Sequence, residues 1–361
     1  MSDPTSPEQG LLRYLIYFVT SRCNSRCATC FYWQEMERAG GDLSLDEVER
    51  IASRLGPFET LLLSGGEPTL RDDLSELVAV FFHRNGVRHA GLPTNGLLPD
   101  RARDLTEQIL TRCPGMRLEV NVSLDDLGER HDAVRGVAGS FDRALETMKK
   151  VGALRERFEH LYLNVETVAF SGNYTHIREL LDFVRGQLDV NGHYVEMLRG
   201  NPRDGRLDLP PLAEIRRIHR LVMKNHLRYH ADPRKKRWPP ELPYLRELYR
   251  WQERVLAGGQ WPAPCPAVRD VAVIEPDGRV RGCELRGVLG DLRQNGYDLR
   301  AILESREGQA ERDKIKATRC SCTHCVFIYQ TFAVHSLPSE RRRRWLDRWF
   351  AVRRRLAGVV P

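Results

Sequence analysis

Long apolar runs are missing from this chain of 361 residues. Nothing in it approaches the roughly 18 consecutive apolar residues that a membrane-spanning helix needs. The first ten residues, MSDPTSPEQG, lack the apolar core of a secretory signal, and residues 1–10 read as a disordered lead. Cysteines that pair off are missing too. There are nine, an odd number, and eight of them fall in two groups. That usage suits metal ligation in a reducing cytoplasm rather than a secreted disulfide framework. Neither charge nor hydrophobicity is extreme: 29% charged and 41% hydrophobic residues are ordinary for a globular protein. The length allows one large domain with an appendage. The net charge of +7 is concentrated late, in Arg234-Lys235-Lys236-Arg237 and over 341–355. Such a surface can meet an anionic partner or simply face water.

One stretch stands out. Residues 21–33 read SRCNSRCATCFYW, with Cys23, Cys27 and Cys30 in a C-x3-C-x2-C spacing directly after an apolar run over 11–20. Three thiolates on one short loop can hold three irons of a cubane cluster and leave the fourth open. An open metal position marks a reacting site rather than a structural one. Arg22 and Arg26 stand beside the thiols, where positive charge favours thiolate. A fourth ligand close by is absent: the next His and Cys are His83 and Cys113. A zinc knot is the alternative that these residues alone leave open.

Residues 58–63, FETLLL, form a short apolar run that predicts a buried strand and ends in Ser64-Gly65-Gly66-Glu67-Pro68. The two glycines let backbone pass close to a ligand. Glu67 offers a carboxylate to a cationic group such as an amino-acid ammonium. The cysteine loop followed one strand later by GGEP resembles the radical S-adenosylmethionine (SAM) enzyme superfamily. The resemblance implies that Cys23, Cys27 and Cys30 hold a 4Fe–4S cluster whose open iron grips the methionine end of SAM. It implies that Gly65, Gly66, Glu67 and Pro68 bind the SAM amino group. The family commonly places an aromatic residue before the third cysteine; Thr29 stands here, which leaves Phe31 or Tyr32 to contact adenine. Asn95, Ser123 and Arg135 are the further cofactor contacts it implies, Arg135 pairing with the SAM carboxylate. The local alternative is that Arg135 pairs with Asp125 to fix a loop.

Ser44-Leu45-Asp46-Glu47 is a capping box that opens a helix to about residue 55. Further strands are predicted at 89–92, 117–124, 161–170 and 193–198, and helices at 71–84, 101–111, 140–154, 174–188 and 211–229. Six alternations predict a parallel sheet with helical crossovers. They are too few for a full eight-stranded barrel, so the expected fold is α/β, a partial (β/α)6 barrel over 11–229, as the resemblance also implies. Functional residues then belong at the carboxyl ends of the strands. The cysteine loop, Gly65 to Pro68, Thr94 to Gly96, and Ser123 with Asp125 all fall there. Prolines punctuate the next segment, and 230–262 reads as a helical linker.

Five cysteines remain. Residues 271–274 and 279–281 flank Pro276-Asp277-Gly278 and predict a hairpin that brings Cys265 and Cys283 together. Cys320, Cys322 and Cys325 follow in CSCTHC. Zinc suits four such thiols. The Gly278-x4-Cys283 spacing also resembles the SPASM/twitch extensions of radical SAM enzymes, which implies an auxiliary iron–sulfur cluster, of 4Fe–4S type, over 263–330. The seven or more cysteines of a two-cluster SPASM pattern are lacking, so one auxiliary cluster is the limit. Cys265 and Cys283 with two of the last three, Cys322 and Cys325 preferred, are its expected ligands. The fifth thiol is then a spare, an alternative ligand or a hydrogen-atom donor, and His324 is a further candidate ligand. Cys113 reads as a structural thiol. Residues 331–361 predict a basic amphipathic helix, docked on the protein or lying on a membrane surface.

The resemblance implies a cytoplasmic enzyme that cleaves SAM reductively to a 5′-deoxyadenosyl radical and abstracts hydrogen from a substrate C–H. An oxidised, cross-linked or epimerised product follows, and a flavodoxin or ferredoxin supplies electrons. SPASM/twitch branches often modify peptides through an N-terminal leader-binding domain. Only about ten residues precede the first strand here, so a peptide substrate calls for a separate leader-binding protein, and a small molecule is the other substrate class. The non-enzymatic alternative is a metal-stabilised module that binds nucleic acid. It accounts for cysteines and charge but not for Gly65 to Pro68 or the strand–helix alternation.

Overall fold

A computed structural model describes residues 12–36, 41–231 and 242–334. The predicted lead, the basic run at 234–237 and the basic C-terminal helix lie outside the described residues. In chain order the barrel comprises β1 (Tyr14–Thr20), α1 (Leu45–Leu55), β2 (Thr60–Gly65), α2 (Leu74–Asn85), β3 (His89–Thr94), α3 (Pro99–Arg112), β4 (Arg117–Ser123), α4 (Glu129–Arg135), α5 (Ser140–Ala153), β5 (Leu161–Ala169), α6 (Ile177–Gln187) and β6 (Gly192–Met197). Then come α7 (Leu212–Ala231), α8 (Leu242–Leu256), β7 (Val271–Ile274), β8 (Arg279–Arg281), β9 (Val288–Asp291), α9 (Leu299–Glu304), α10 (Arg306–Ala317) and α11 (Cys325–Val334). Among the described residues no helix is long and apolar enough to cross a membrane.

One sheet holds all nine strands in the order β6-β5-β4-β3-β2-β1-β7-β8-β9. The first six are parallel to their neighbours, and the sheet does not close, as a partial barrel requires. Every residue of β1 after Tyr14 is buried, because helices cover one face of a parallel sheet and the interior the other. The cysteine-rich extension grows from the barrel's own edge: β7 runs parallel to β1, with Leu15 opposite Ala272 and Tyr17 opposite Ile274. The hairpin of β7 and β8 forms as predicted, and Gly278, at φ +93°, supplies the conformation its turn demands.

Helix α1 starts on the predicted capping box. Ser44 Oγ accepts from Glu47 N at 3.3 Å, and the Glu47 carboxylate accepts from Ser44 N at 2.8 Å. Helix α2 starts three residues later than expected. Pro68–Leu70 form a 3-10 turn first, and the Arg71 side chain is tied back to Val19 O at 2.8 Å and Leu43 O at 2.7 Å. Helix α4 has no counterpart in the sequence reading, since seven residues are too few to show a helical period.

Candidate active site

The cysteine loop leaves β1 and is clamped from two sides. From the strand end, Gly66 N donates to Thr20 O and Glu67 N to Arg22 O, both at 2.8 Å. A Cβ on Gly66 would stand 2.0 Å from Arg22 O, and one on Gly65 2.4 Å from Thr20 O. The glycines therefore serve the approach of this strand end to the cysteine loop itself, where the sequence reading had them admit a ligand. From the other side, Arg26 N donates to Arg135 O at 3.1 Å and Ala28 N to Val134 O at 2.8 Å. Ser25 Oγ donates to Arg135 O at 2.8 Å.

Cys23, Cys27 and Cys30 are unbonded to one another and half-buried. Burial pushes the Cys23 thiol up to about 12 and the Cys30 thiol up to about 11, and neighbouring thiols add to both. A partly buried trio of thiols becomes favourable as thiolates once a metal group brings positive charge, so this donor set fits an iron–sulfur cluster. Cys27 already has two polar neighbours: Arg135 Nη1 donates to its Sγ at 3.6 Å, and Ser25 Oγ, whose own hydrogen goes to Arg135 O, lies 3.1 Å away.

Several residues assigned to the cofactor have partners inside the protein. Glu67 is 2% exposed. Its carboxylate accepts from Thr69 N, Thr69 Oγ1, Thr94 Oγ1 and Asn95 N at 2.6 to 3.2 Å. The side chain thus welds the ends of β2 and β3 together instead of facing an ammonium; the adjoining backbone is what the strand end presents. Asn95 continues this brace, its Nδ2 donating to Asn24 Oδ1 at 2.8 Å in the cysteine loop. Arg135 pairs with the fully buried Asp125 at 2.8 Å, the contact that the local alternative expects. Tyr32 is buried against Phe18, and its hydroxyl donates to Glu275 at 2.7 Å. Phe31 lies under the Arg199 guanidinium. Ser123 closes β4 on the same face as Glu119 and Asn121. Pro68 opens the 3-10 turn.

In the second group, Cys265, Cys283, Cys320 and Cys322 are the thiols that act on one another, each of Cys265, Cys283 and Cys322 being raised by burial and by its neighbours. Cys325 departs from the expected set. Besides burial, the groups acting on its thiol are Glu196, Arg199 and Glu166, and it hydrogen-bonds Glu196. As the first residue of α11 it lines the barrel cavity, whereas Cys320 acts on Cys265 and Cys322. His324 is not free to ligate through Nε2, which meets Glu284 at 2.6 Å. Arg286 Nη1 lies 3.7 Å from Cys320 Sγ. Cys113 is fully buried in the core, as expected of a structural thiol.

Between the sheet's inner face and α8 and α11 lies a cavity of about 450 Å³. Glu119, Glu166, Glu196, Arg199, Glu284 and Cys325 are among its wall residues. Burial, then the nearby Glu196, raises the Glu166 carboxyl to about 7. Glu284 is held at about 2 by His324 and Arg199 against the cost of burial. Sequence reasoning missed these carboxylates. Their signal was there: a glutamate within each of β4, β5 and β6, strands of the kind that a parallel sheet fills mostly with apolar residues.

Comparison with known proteins fits this geometry. Residues 17–184 match the Radical SAM superfamily. The barrel is a radical SAM domain. Fe-coproporphyrin III synthase of Methanosarcina barkeri is 38% identical over 135 residues, 36% of this chain and 32% of that protein. GTP 3′,8-cyclase of Synechococcus elongatus is 31% identical over 195 residues, 52% of this chain and 55% of that one. The matches thus span about a third to just over half of these curated relatives. Among solved structures, SuiB of Streptococcus suis bound to S-adenosylmethionine superposes with a TM-score of 0.57 at 17% identity, covering 84% of this chain and 66% of that one. The enzyme anSMEcpe with bound AdoMet gives 0.56 at 18% identity over 83% and 82%. At these identities the likeness is one of fold, and it extends beyond the barrel into the cysteine-rich extension.

Proposed function

We propose that the protein is an iron–sulfur enzyme that cleaves SAM reductively and oxidises, cross-links or epimerises a substrate at a C–H bond. One observation carries the reading: three unpaired thiols on a loop clamped by the GGEP strand end of a radical SAM barrel. Cys23, Cys27 and Cys30 would hold a 4Fe–4S cluster, which would supply the electron for reductive cleavage of SAM to methionine and a 5′-deoxyadenosyl radical. The chain's own part is to hold the loop, orient SAM at the ends of β2 to β4 and keep water out. Cys265, Cys283, Cys320 and Cys322 are the ligands we assign to an auxiliary cluster.

For the substrate, relatives point both ways. The names of the curated relatives describe enzymes of GTP and of a porphyrin, whereas SuiB and anSMEcpe were also solved with peptides. Both a peptide, delivered by a separate leader-binding protein, and a small molecule fit, with a flavodoxin or ferredoxin as electron donor.

Anaerobic reconstitution tests the reading. Iron–sulfur absorbance, and 5′-deoxyadenosine released from SAM with dithionite, are expected. Cys27→Ala abolishes that release, whereas Cys283→Ala spares part of it and loses product. Cys325→Ser keeps all the iron, whereas Cys320→Ser loses one cluster's worth. A colourless protein holding only zinc and shifting a nucleic-acid probe would support the non-catalytic module instead.

A further inference from the structure

The chamber inside the barrel has a one-sided chemistry. Glu166 stands near the carboxyl end of β5 and Glu196 near that of β6, where Glu166 is opposite Tyr194 and Glu196 opposite Val168. Both line the cavity. Glu196 is 8% exposed, and its hydrogen-bond contact is the Cys325 thiol, a weak donor. Among the described residues the one arginine in the wall, Arg199, acts on Glu166 and Glu196 from a distance but makes its ion pair with another group. Arg199 pairs with Glu284 at 3.4 Å and lies over the Phe31 ring. Glu119, also in the wall, is matched by Arg117 at 3.2 Å. Two carboxyl groups that repel each other in a buried wall are costly as a charged pair, which is why the Glu166 carboxyl is raised, and a cation seated between them lets both ionise. A second atom awaits a partner there. His324, 2% exposed, lines the same chamber, and its Nδ1 has no hydrogen-bond partner among the described residues.

We propose that this chamber takes the substrate through a protonated amine seated between Glu166 and Glu196. The proposal rests on the enzymatic reading above and narrows its substrate class to amine-bearing molecules, a lysine-type side chain or an amino-substituted small molecule. An ammonium supplies three donors and a positive charge, which is what two unmatched carboxylates lack. The tyrosines in the wall, Tyr14, Tyr194, Tyr244 and Tyr249, suit a cation as well, since aromatic faces attract it. Cys325 then reports on the chamber from inside, free of both clusters.

Its labelling rate is the test. Protein loaded with both clusters is treated anaerobically with the cationic reagent 2-aminoethyl methanethiosulfonate and, separately, with the anionic 2-sulfonatoethyl analogue. Modification of Cys325 is followed by mass spectrometry. The cation-to-anion rate ratio is expected to exceed that of free cysteine by at least about tenfold, since a wall of unmatched carboxylates concentrates cations. The double variant Glu166→Gln, Glu196→Gln is expected to bring it back near the free-cysteine value. Propylamine slows the labelling, and N-propylacetamide does not. A wild-type ratio equal to that of free cysteine overturns the proposal, even if the variant fails to fold. So does an unreactive Cys325, a preference that the double variant keeps, or equal effects of amine and amide. Repeating the labelling with saturating SAM separates the two sources of an amine: a preference that vanishes means the carboxylates serve the SAM amino group, which also overturns it. Release of 5′-deoxyadenosine without substrate is measured on the same preparation. If it persists while the preference is absent, only this inference fails; if it is absent, the enzymatic reading fails.

Discussion

Asp125→Asn isolates the role of one buried charge. The carboxylate is fully buried and meets Arg135, itself 11% exposed, at 2.8 Å. Its other oxygen accepts from Val168 N at 2.9 Å, a bond that asparagine can keep in a side chain of the same shape. The substitution therefore strands a guanidinium beside Cys27. Removing one partner of a buried pair costs about 3–5 kcal/mol. Arg135 retains its contact to Cys27 Sγ at 3.6 Å, which places the expected loss at the lower end, about 3 kcal/mol. Arg135→Gln should cost a similar amount by leaving the carboxylate alone. The double variant leaves neither charge buried, so its loss should fall short of the sum by about 2 kcal/mol. Urea unfolding of the metal-free, reduced protein, followed by circular dichroism, measures all three. Because α4 holds the cysteine loop through Val134 O and Arg135 O, the single variants should also lose iron from the first cluster while keeping the auxiliary one. Single losses within about 0.5 kcal/mol, or an additive double variant, would refute the idea that this pair braces the loop.

Gly66→Ala drives a methyl group to 2.0 Å from Arg22 O, a backbone atom that cannot step aside. A cost of at least about 1–3 kcal/mol is expected, with loss of first-cluster iron; wild-type iron content would contradict the close-approach argument. Glu47 links α1 to the extension through Arg293 at 2.7 Å, and the Arg293 hydrogen bond holds its carboxyl at about 2. The folded value lies below the unfolded one, so this contribution is complete above about pH 5 and fades as pH falls through about 4 toward 2. Glu47→Gln should cost about 1–2 kcal/mol near neutrality after allowance for solvent screening. The gap to wild type should narrow between about pH 5 and pH 3; a gap that stays constant would show that the charge is not what matters.

The barrel was legible because β1 and β2 are apolar runs, because β4 alternates between polar and apolar residues, and because Ser44 and Glu47 cap α1 in the way their spacing states. The hairpin at Pro276 to Gly278 was legible for the same local reason. What stayed hidden depends on contacts between distant segments. Nothing in GGEP reveals that its glycines accommodate the carbonyls of Thr20 and Arg22 rather than a ligand. Nothing near Glu67 shows that Thr69, Thr94 and Asn95 consume its oxygens. The choice between Cys320 and Cys325 follows from where α11 begins: Cys325 is its first residue and lines the barrel cavity, which spacing within CSCTHC cannot show.

The two thiol groups share a feature that neither motif announces. At the first, Asp125 pairs with Arg135, and Arg135 reaches Cys27. At the second, Glu311 pairs with Arg286, and Arg286 reaches Cys320. Each is a chain of carboxylate, guanidinium and sulfur in which the guanidinium donates to one thiol only. A donor to sulfur favours the more negative, reduced form of a cluster, while a carboxylate behind that donor offsets part of its charge. The first guanidinium sits in a drier setting than the second, at 11% against 19% exposure, and its carboxylate is fully buried where Glu311 is 15% exposed. Charges screened less act more strongly, so the brace on Cys27 should govern its group more tightly than the one on Cys320. Since β7 pairs directly with β1, the two chains belong to elements built on one sheet.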